Sequence, residues 1–109
     1  MSGGVNRVVL VGVIGKYGVE VKYANNGTPC ASFTLAVVEL GQDGREHTTL
    51  IPCECWGKKV EAAGVLEAGQ LVLFEGKIRR RPMGGDLWET VVSGFEGTPI
   101  TAAVSTSSN

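Results

Sequence analysis

Residues 5 to 14, from Val5 through Val8, Val9, Leu10, Val11 and Val13 to Ile14, are largely β-branched and nearly all apolar. Such a run reads as a strand covered on both faces. Gly15 and Gly18 interrupt it, which suits the bulge or sharp bend that a small barrel needs at its corners. Val19 to Tyr23 then alternates strictly, as a half-exposed continuation strand does. The opening strand is more apolar than a lone small barrel requires, so its outer face is expected to be covered by another copy of the chain.

The rest of the chain repeats short strands and turns. Asn25-Asn26-Gly27 predicts a hairpin with a type I′ turn, followed by a strand from about Cys30 to Glu39. Gly41 to Gly44 is a second, polar turn, and Glu46 to Trp56 the next strand, giving a long hairpin with a mobile tip. Gly57 to Ala68 is the one helical stretch, with Val60, Ala63, Gly64 and Leu66 near one face. Leu71 to Arg81 is a strand again. Period-2 alternation puts Val72, Phe74, Gly76 and Ile78 on one face and Lys77, Arg79 and Arg81 on the other. Pro82 to Asp86 turns into a last strand, Leu87 to Phe95. The order predicts an all-β fold: a five-stranded OB-fold barrel with one short helix between strands 3 and 4. A sandwich is compatible with the same pattern. Residues 1–98 form the domain, and 99–109, small and polar, a short disordered tail.

The 109 residues suffice for one domain with one core. The net charge of −1 is not that of a typical nucleic-acid binder. Net charge is silent on placement, however, and Lys77, Arg79, Arg80 and Arg81 fall together. No apolar stretch is long enough for a membrane helix and no signal peptide is visible. The three cysteines, Cys30, Cys53 and Cys55, read as free thiols in a reducing cytoplasm. If the hairpin centre lies near Gln42–Asp43, Cys30 falls opposite Cys55. With His47 far toward the turn, these do not make a metal site, and small buried apolar side chains are the simpler reading. No catalytic constellation is present, so no enzyme and no cofactor is expected.

Five pieces in order resemble the bacterial single-stranded DNA-binding protein family. They are Gly4 to Gly12, Asn26-Gly27 with Ala31 to Ala36, Trp56-Gly57-Lys58, Phe74 to Arg79, and Leu87 to Thr90. The resemblance covers about residues 4 to 97. It implies an OB-fold that wraps single-stranded DNA in replication, recombination or repair, built as a homotetramer from paired first strands and back-to-back sheets. The chain departs from the family at Leu40, Leu50 and Met83, where tryptophans are frequent, and at Ile51, where a histidine is linked to tetramer contacts. The family's acidic tail is missing, so recruitment of replication proteins through it is not expected.

Binding single strands without sequence preference takes a basic groove for phosphates and flat apolar groups for bases. Trp56, at the end of a strand, and Trp88, at the start of one, are the stacking candidates; the alternative for each is packing within the barrel. Lys77, Arg79 and Arg81 form a row of like charge, mildly destabilising without an anion, and are read as phosphate contacts. A solvated edge that blocks aggregation is the competing reading. Lys58 at the helix start is a further candidate, and Arg7 and Lys22 are added mainly by the resemblance. Phe33 and Phe74 read as core. Tyr17 and Tyr23 divide evenly between binding and rim packing. The function expected is sequence-independent binding and protection of single-stranded DNA by a cytoplasmic homo-oligomer, without a membrane. The alternatives are a primosome-type paralogue or an oligomeric OB-fold adaptor that binds DNA weakly.

Overall fold

A computed structural model describes residues 3–95 and 100–102 of the 109. The strands are β1 (Val8–Ile14), β2 (Glu20–Tyr23), β3 (Pro29–Leu40), β4 (Glu46–Trp56), β5 (Leu71–Gly84), β6 (Leu87–Gly94) and β7 (Thr101–Ala102). The helix α1 (Lys59–Gly64) follows β4 in the chain. The described residues are therefore mostly strand with one short helix. Among the described residues no helix is long and apolar enough to cross a membrane.

The pairings form a ring. β1 runs antiparallel to β3 at Val13–Ala36 and to β5 from Val8–Gly76 to Val13–Leu71. β3 pairs with β4 along its length, β4 pairs in parallel with β6 at Cys53–Val92, and β6 returns antiparallel to β5. β2 lies outside the ring, on β3. Side chains pointing inward make the core: Ile14, Leu35, Cys53, Cys55, Val72 and Phe74 are essentially sealed from solvent. Phe33 and Phe74 meet edge to face, with ring centroids 5.3 Å apart. A fully buried side chain of this size contributes roughly 1.5–3 kcal/mol.

The β2–β3 and β3–β4 hairpins are built alike. Ala24 and Thr28 bracket one loop, with Gly27 N–H donating to Ala24 O; Gly41 and Arg45 bracket the other, with Gly44 N–H donating to Gly41 O. The side chains of Asn26 and Asp43 accept from the N–H two residues on. Only the glycines, Gly27 at φ 85° and Gly44 at φ 79°, are left-handed. The type I′ turn expected at Asn26-Gly27 would need a positive φ at Asn26 as well. A three-residue loop ending in a left-handed glycine is formed instead.

Several expectations need correcting. Among the described residues the strands number seven rather than five, because the bend after Ile14 separates β2 from β1 and because Thr101 and Ala102 pair with Leu73 and Val72. Those two residues belong to the segment expected to be a disordered tail; residues 96–99 and 103–109 lie outside the described residues. The helix is shorter than Gly57 to Ala68, and Gly64 is exposed while Val60, Ala63 and Leu66 face the core. The β3–β4 hairpin is centred on Asp43, so Ala31, not Cys30, lies opposite Cys55. One residue of register reverses the face: Cys55 joins the core cluster while Cys30 points the other way. Ile78 is half exposed instead of core. Beyond Gly76 β5 runs past the end of β1, and the Asn6 side-chain amide takes over the ladder there. It donates to Ile78 O and accepts from Ile78 N–H, both at 2.8 Å.

The ring closes tightly at Gly76, where an added Cβ would sit 2.2 Å from Ser93 O and 2.7 Å from its carbonyl carbon. The obstruction is backbone and cannot rotate away. Gly76→Ala is therefore expected to destabilise the fold by about 1–3 kcal/mol or more, read as a lowered midpoint in urea unfolding. An unchanged midpoint would contradict this packing.

Candidate nucleic-acid interface

Strand register assembles one outward face from five strands. Lys22 lies opposite Cys30 and Glu20 opposite Ser32; Cys30 in turn lies opposite Trp56, and Ser32 opposite Glu54. Glu54 pairs with Ser93 on β6, and Ser93 with Lys77 on β5. Period-2 alternation adds Arg79 and Arg81 beside Lys77, and Glu89 opposite Arg81. Five of the residues singled out in the sequence, Trp56, Lys22, Lys77, Arg79 and Arg81, thus share this face. Next to them is a groove of about 230 Å³, lined among others by Tyr17, Glu20, Ser32, Thr34, Arg81 and Glu89.

The arginines have an anion of their own. Arg79 Nε donates to Glu54 Oε2 at 2.8 Å and its Nη2 to Oε1 at 3.3 Å. Arg81 Nη1 donates to Glu54 Oε1 at 3.2 Å, while its Nε and Nη2 donate to Glu89 Oε2 at 3.2 and 3.1 Å. The Glu54 side chain is 0% exposed, those of Arg79 and Arg81 38% and 24%. A buried charge stranded without partners costs several kcal/mol, so the arginines hold Glu54 as firmly as it holds them. Sequence reasoning did not single out Glu54 or Glu89. The signal at Glu54 is a lone acid within the otherwise apolar run from Leu50 to Trp56.

The other candidates are placed apart or paired. Lys22 bonds to Glu20 at 2.9 Å on the exposed surface. Arg7 pairs with Glu75 on the flank between β1 and β5. Lys58 is exposed at the entrance of α1, next to Gly57 and the half-buried Trp56. Among the described residues neither Lys58 nor Lys77 has an ion-pair partner. Trp88 pairs with Pro82 and so points to the opposite side of the β5–β6 hairpin from Arg81. It is 56% exposed, with the Arg80 guanidinium 5.9 Å from its ring. Tyr17 and Tyr23 are largely exposed, and Lys16 lies over the Tyr17 ring. Cys30, Cys53 and Cys55 are buried, and desolvation pushes the thiols of Cys53 and Cys55 up to about 12. Among the described residues no cluster of His, Cys, Asp and Glu could hold a metal ion.

Burial pushes the Glu54 carboxyl upward. Hydrogen bonds from Arg79, Trp56 and Ser93 and the Arg79 charge outweigh it and hold the group below the usual carboxylate range. A carboxyl depressed in the folded state adds stability that is complete above its unfolded value, about 4.3 for a glutamate, and is lost as pH falls through the folded value. Stability in urea should therefore decline on the acid side of about pH 4.3, and Glu54→Gln should flatten that arm. Superimposable acid arms for the two proteins would contradict the assignment.

The Single-strand binding protein family model matches residues 5–87. Single-stranded DNA-binding protein 1 of Streptococcus pyogenes serotype M18 (strain MGAS8232) is 38% identical over 80 residues, which are 71% of this chain and 61% of that protein. Single-stranded DNA-binding protein A of Bacillus subtilis (strain 168) is 38% identical over 79 residues, 70% of this chain and 45% of that protein. Single-stranded DNA-binding protein 3 of Clostridium acetobutylicum (strain ATCC 824) is 38% identical over 79 residues, 70% of this chain and 54% of that protein. The match thus spans about half to three fifths of these curated relatives. The outward face assembled from β2 to β6 lies within the matched segment or just past its end, and the chain belongs to the single-strand binding protein family.

Proposed function

We propose that the chain binds single-stranded DNA without sequence preference, along the face that carries Trp56, Lys77 and the adjoining groove. The observation that carries this reading is the placement of Trp56. It is half-buried, so its ring is held, yet part of it stays open beside the unpaired Lys58. A base stacked on a held ring contributes roughly 1–3 kcal/mol whatever its identity. Trp88, on the far side of the β5–β6 hairpin, is a second platform for a strand that passes round the hairpin. Lys58 and Lys77 meet phosphates directly. Arg7 and Lys22 do so while sharing their charge with Glu75 and Glu20, and Arg79 and Arg81 border the path with theirs engaged by Glu54 and Glu89.

The architecture is an OB-fold barrel in this reading. β1 and β2 together are its first strand, β3, β4, β5 and β6 the other four, and α1 lies between the third and fourth. The ring of pairings and the membership in the family support it. The working form is a homo-oligomer, a tetramer by analogy with the family, in the cytoplasm. The support for assembly is the apolar outer side of β1 and β5, where Val9, Val11, Leu71 and Leu73 are 41–56% exposed. Such a contiguous patch is what a second copy covers. The neutralised arginines favour a second reading, an oligomeric OB-fold adaptor with weak DNA binding.

Poly(dT) is expected to quench the tryptophan fluorescence. Trp56→Ala and Trp88→Ala should each weaken binding by roughly 1–3 kcal/mol. Full affinity in both folded variants would move the DNA path elsewhere, and no binding at low salt would favour the adaptor. Light scattering at micromolar concentration is expected to give an oligomer, and Val11→Glu with Leu73→Glu to give a smaller species. A wild-type monomer would refute the assembly.

A further inference from the structure

The buried Glu54 carboxylate does more than balance charge. Its two oxygens receive three N–H groups from two arginines at 2.8–3.3 Å. This is the arrangement a phosphate would take up between the same side chains. An exposed counter-ion could be displaced by DNA. Glu54 cannot swing away, because its side chain is fully covered and its strand is paired on both sides there, with Ser32 opposite on β3 and Ser93 on β6. Taken with Glu89, the cluster of two arginines and two glutamates has no net charge. A neutral cluster on the binding face neutralises no phosphate and so releases none of the cations condensed on the DNA, and it adds little to the salt dependence of binding.

We propose that Glu54 is an affinity-determining residue that holds the place of a DNA phosphate between Arg79 and Arg81, so that the arginine row supports the face without attracting the DNA backbone. This rests on the single-stranded DNA reading above and deepens it. Phosphates pass over Lys58 and Lys77, and the groove beside Arg81 receives uncharged parts of the strand, its bases and sugars. The like-charged row on β5 is stable without DNA for the same reason.

The test is a fluorescence titration with a dT oligomer at several salt concentrations. It compares the wild type, Glu54→Gln, Glu89→Gln and the charge-balanced pair Glu54→Gln with Arg79→Gln, each checked for folding by circular dichroism. Glu54→Gln keeps the shape and removes one negative charge. Its slope of log K against log salt should steepen by about 0.7 for each phosphate gained. This amounts to roughly fivefold more affinity, relative to wild type, for each tenfold dilution of salt. The charge-balanced pair should return to the wild-type slope. Glu89→Gln, at the partly exposed rim, should steepen the slope in the same sense, and it decides the matter should Glu54→Gln fail to fold. Unchanged slopes in Glu54→Gln and Glu89→Gln, with wild-type dT binding intact, would overturn this inference alone. A charge-balanced pair with a slope flatter than wild type would do the same, since Arg79 would then already grip phosphate. No dT binding by the wild type or any variant at low salt would overturn the functional reading and this inference with it.

Discussion

Closure of the strand ring is the constraint on which everything else in this molecule depends. β1 must serve two neighbours, β3 at one edge and β5 at the other, and both sets of pairings meet at Val13. Without that double pairing β3 beyond its contact with β2, and β5 beyond its contact with β7, would be open edges, and the core-facing sides of Ile14, Leu35, Val72 and Phe74 would be left unenclosed. Closure demands close backbone approaches, and glycine stands where they occur. A Cβ at Gly12 would meet Ala36 O at 2.9 Å, and one at Gly76 would meet Ser93 O at 2.2 Å. The apolar run that opens the chain thus contributes in two directions. Its inward residues complete the core, and its outward Val9 and Val11 remain as surface for another body to cover.

Closure also decides where charge lies. The parallel contact between β4 and β6 is short, at Cys53–Val92 and Glu54–Ser93. It nevertheless brings β4 within reach of side chains from β5, which lies beyond β6. Arg79 and Arg81 reach across β6 to Glu54, and Arg81 also holds Glu89 on the way. A carboxylate in that position could not remain ionised by itself, because burial penalises it heavily. Two guanidinium groups make it tolerable. Their cost is a loss of free positive charge on the face where the chain would meet an anion. The arginines that stabilise the folded face are therefore not free to attract an anion from outside.

This division gives physical content to a near-neutral member of a nucleic-acid-binding family. With a net charge of −1 the chain has no excess of positive charge to spread widely. Several of its cations are engaged: Arg7 by Glu75, Lys22 by Glu20, Arg79 and Arg81 by Glu54 and Glu89. In the proposed reading stacking is then the larger share of what the face offers a single strand, with Trp56 held beside the cluster, Tyr17 freely exposed at the groove and Trp88 round the hairpin on its other side. A π-face needs no charge and does not discriminate between bases.

Much of this was legible in the sequence. Alternation located β2 and β5, and the turns between strands located β3, β4 and β6, each to within a few residues. The same periodicity put Lys77, Arg79 and Arg81 on one face and marked the row as needing an anion. Less was legible where one residue of count decides the outcome. The loop at the β3–β4 turn set Cys30 opposite Trp56, and the start of β1 at Val8, opposite Gly76, left Ile78 half exposed. The identity of the anion was not legible at all. Glu54 and Arg79 are 25 residues apart and on strands that do not pair directly. The sequence by itself determined the strands, their inward faces and the basic row, because each depends on local spacing. Only the tertiary structure decided that a buried glutamate answers that row, because this depends on strand order and register around a closed ring.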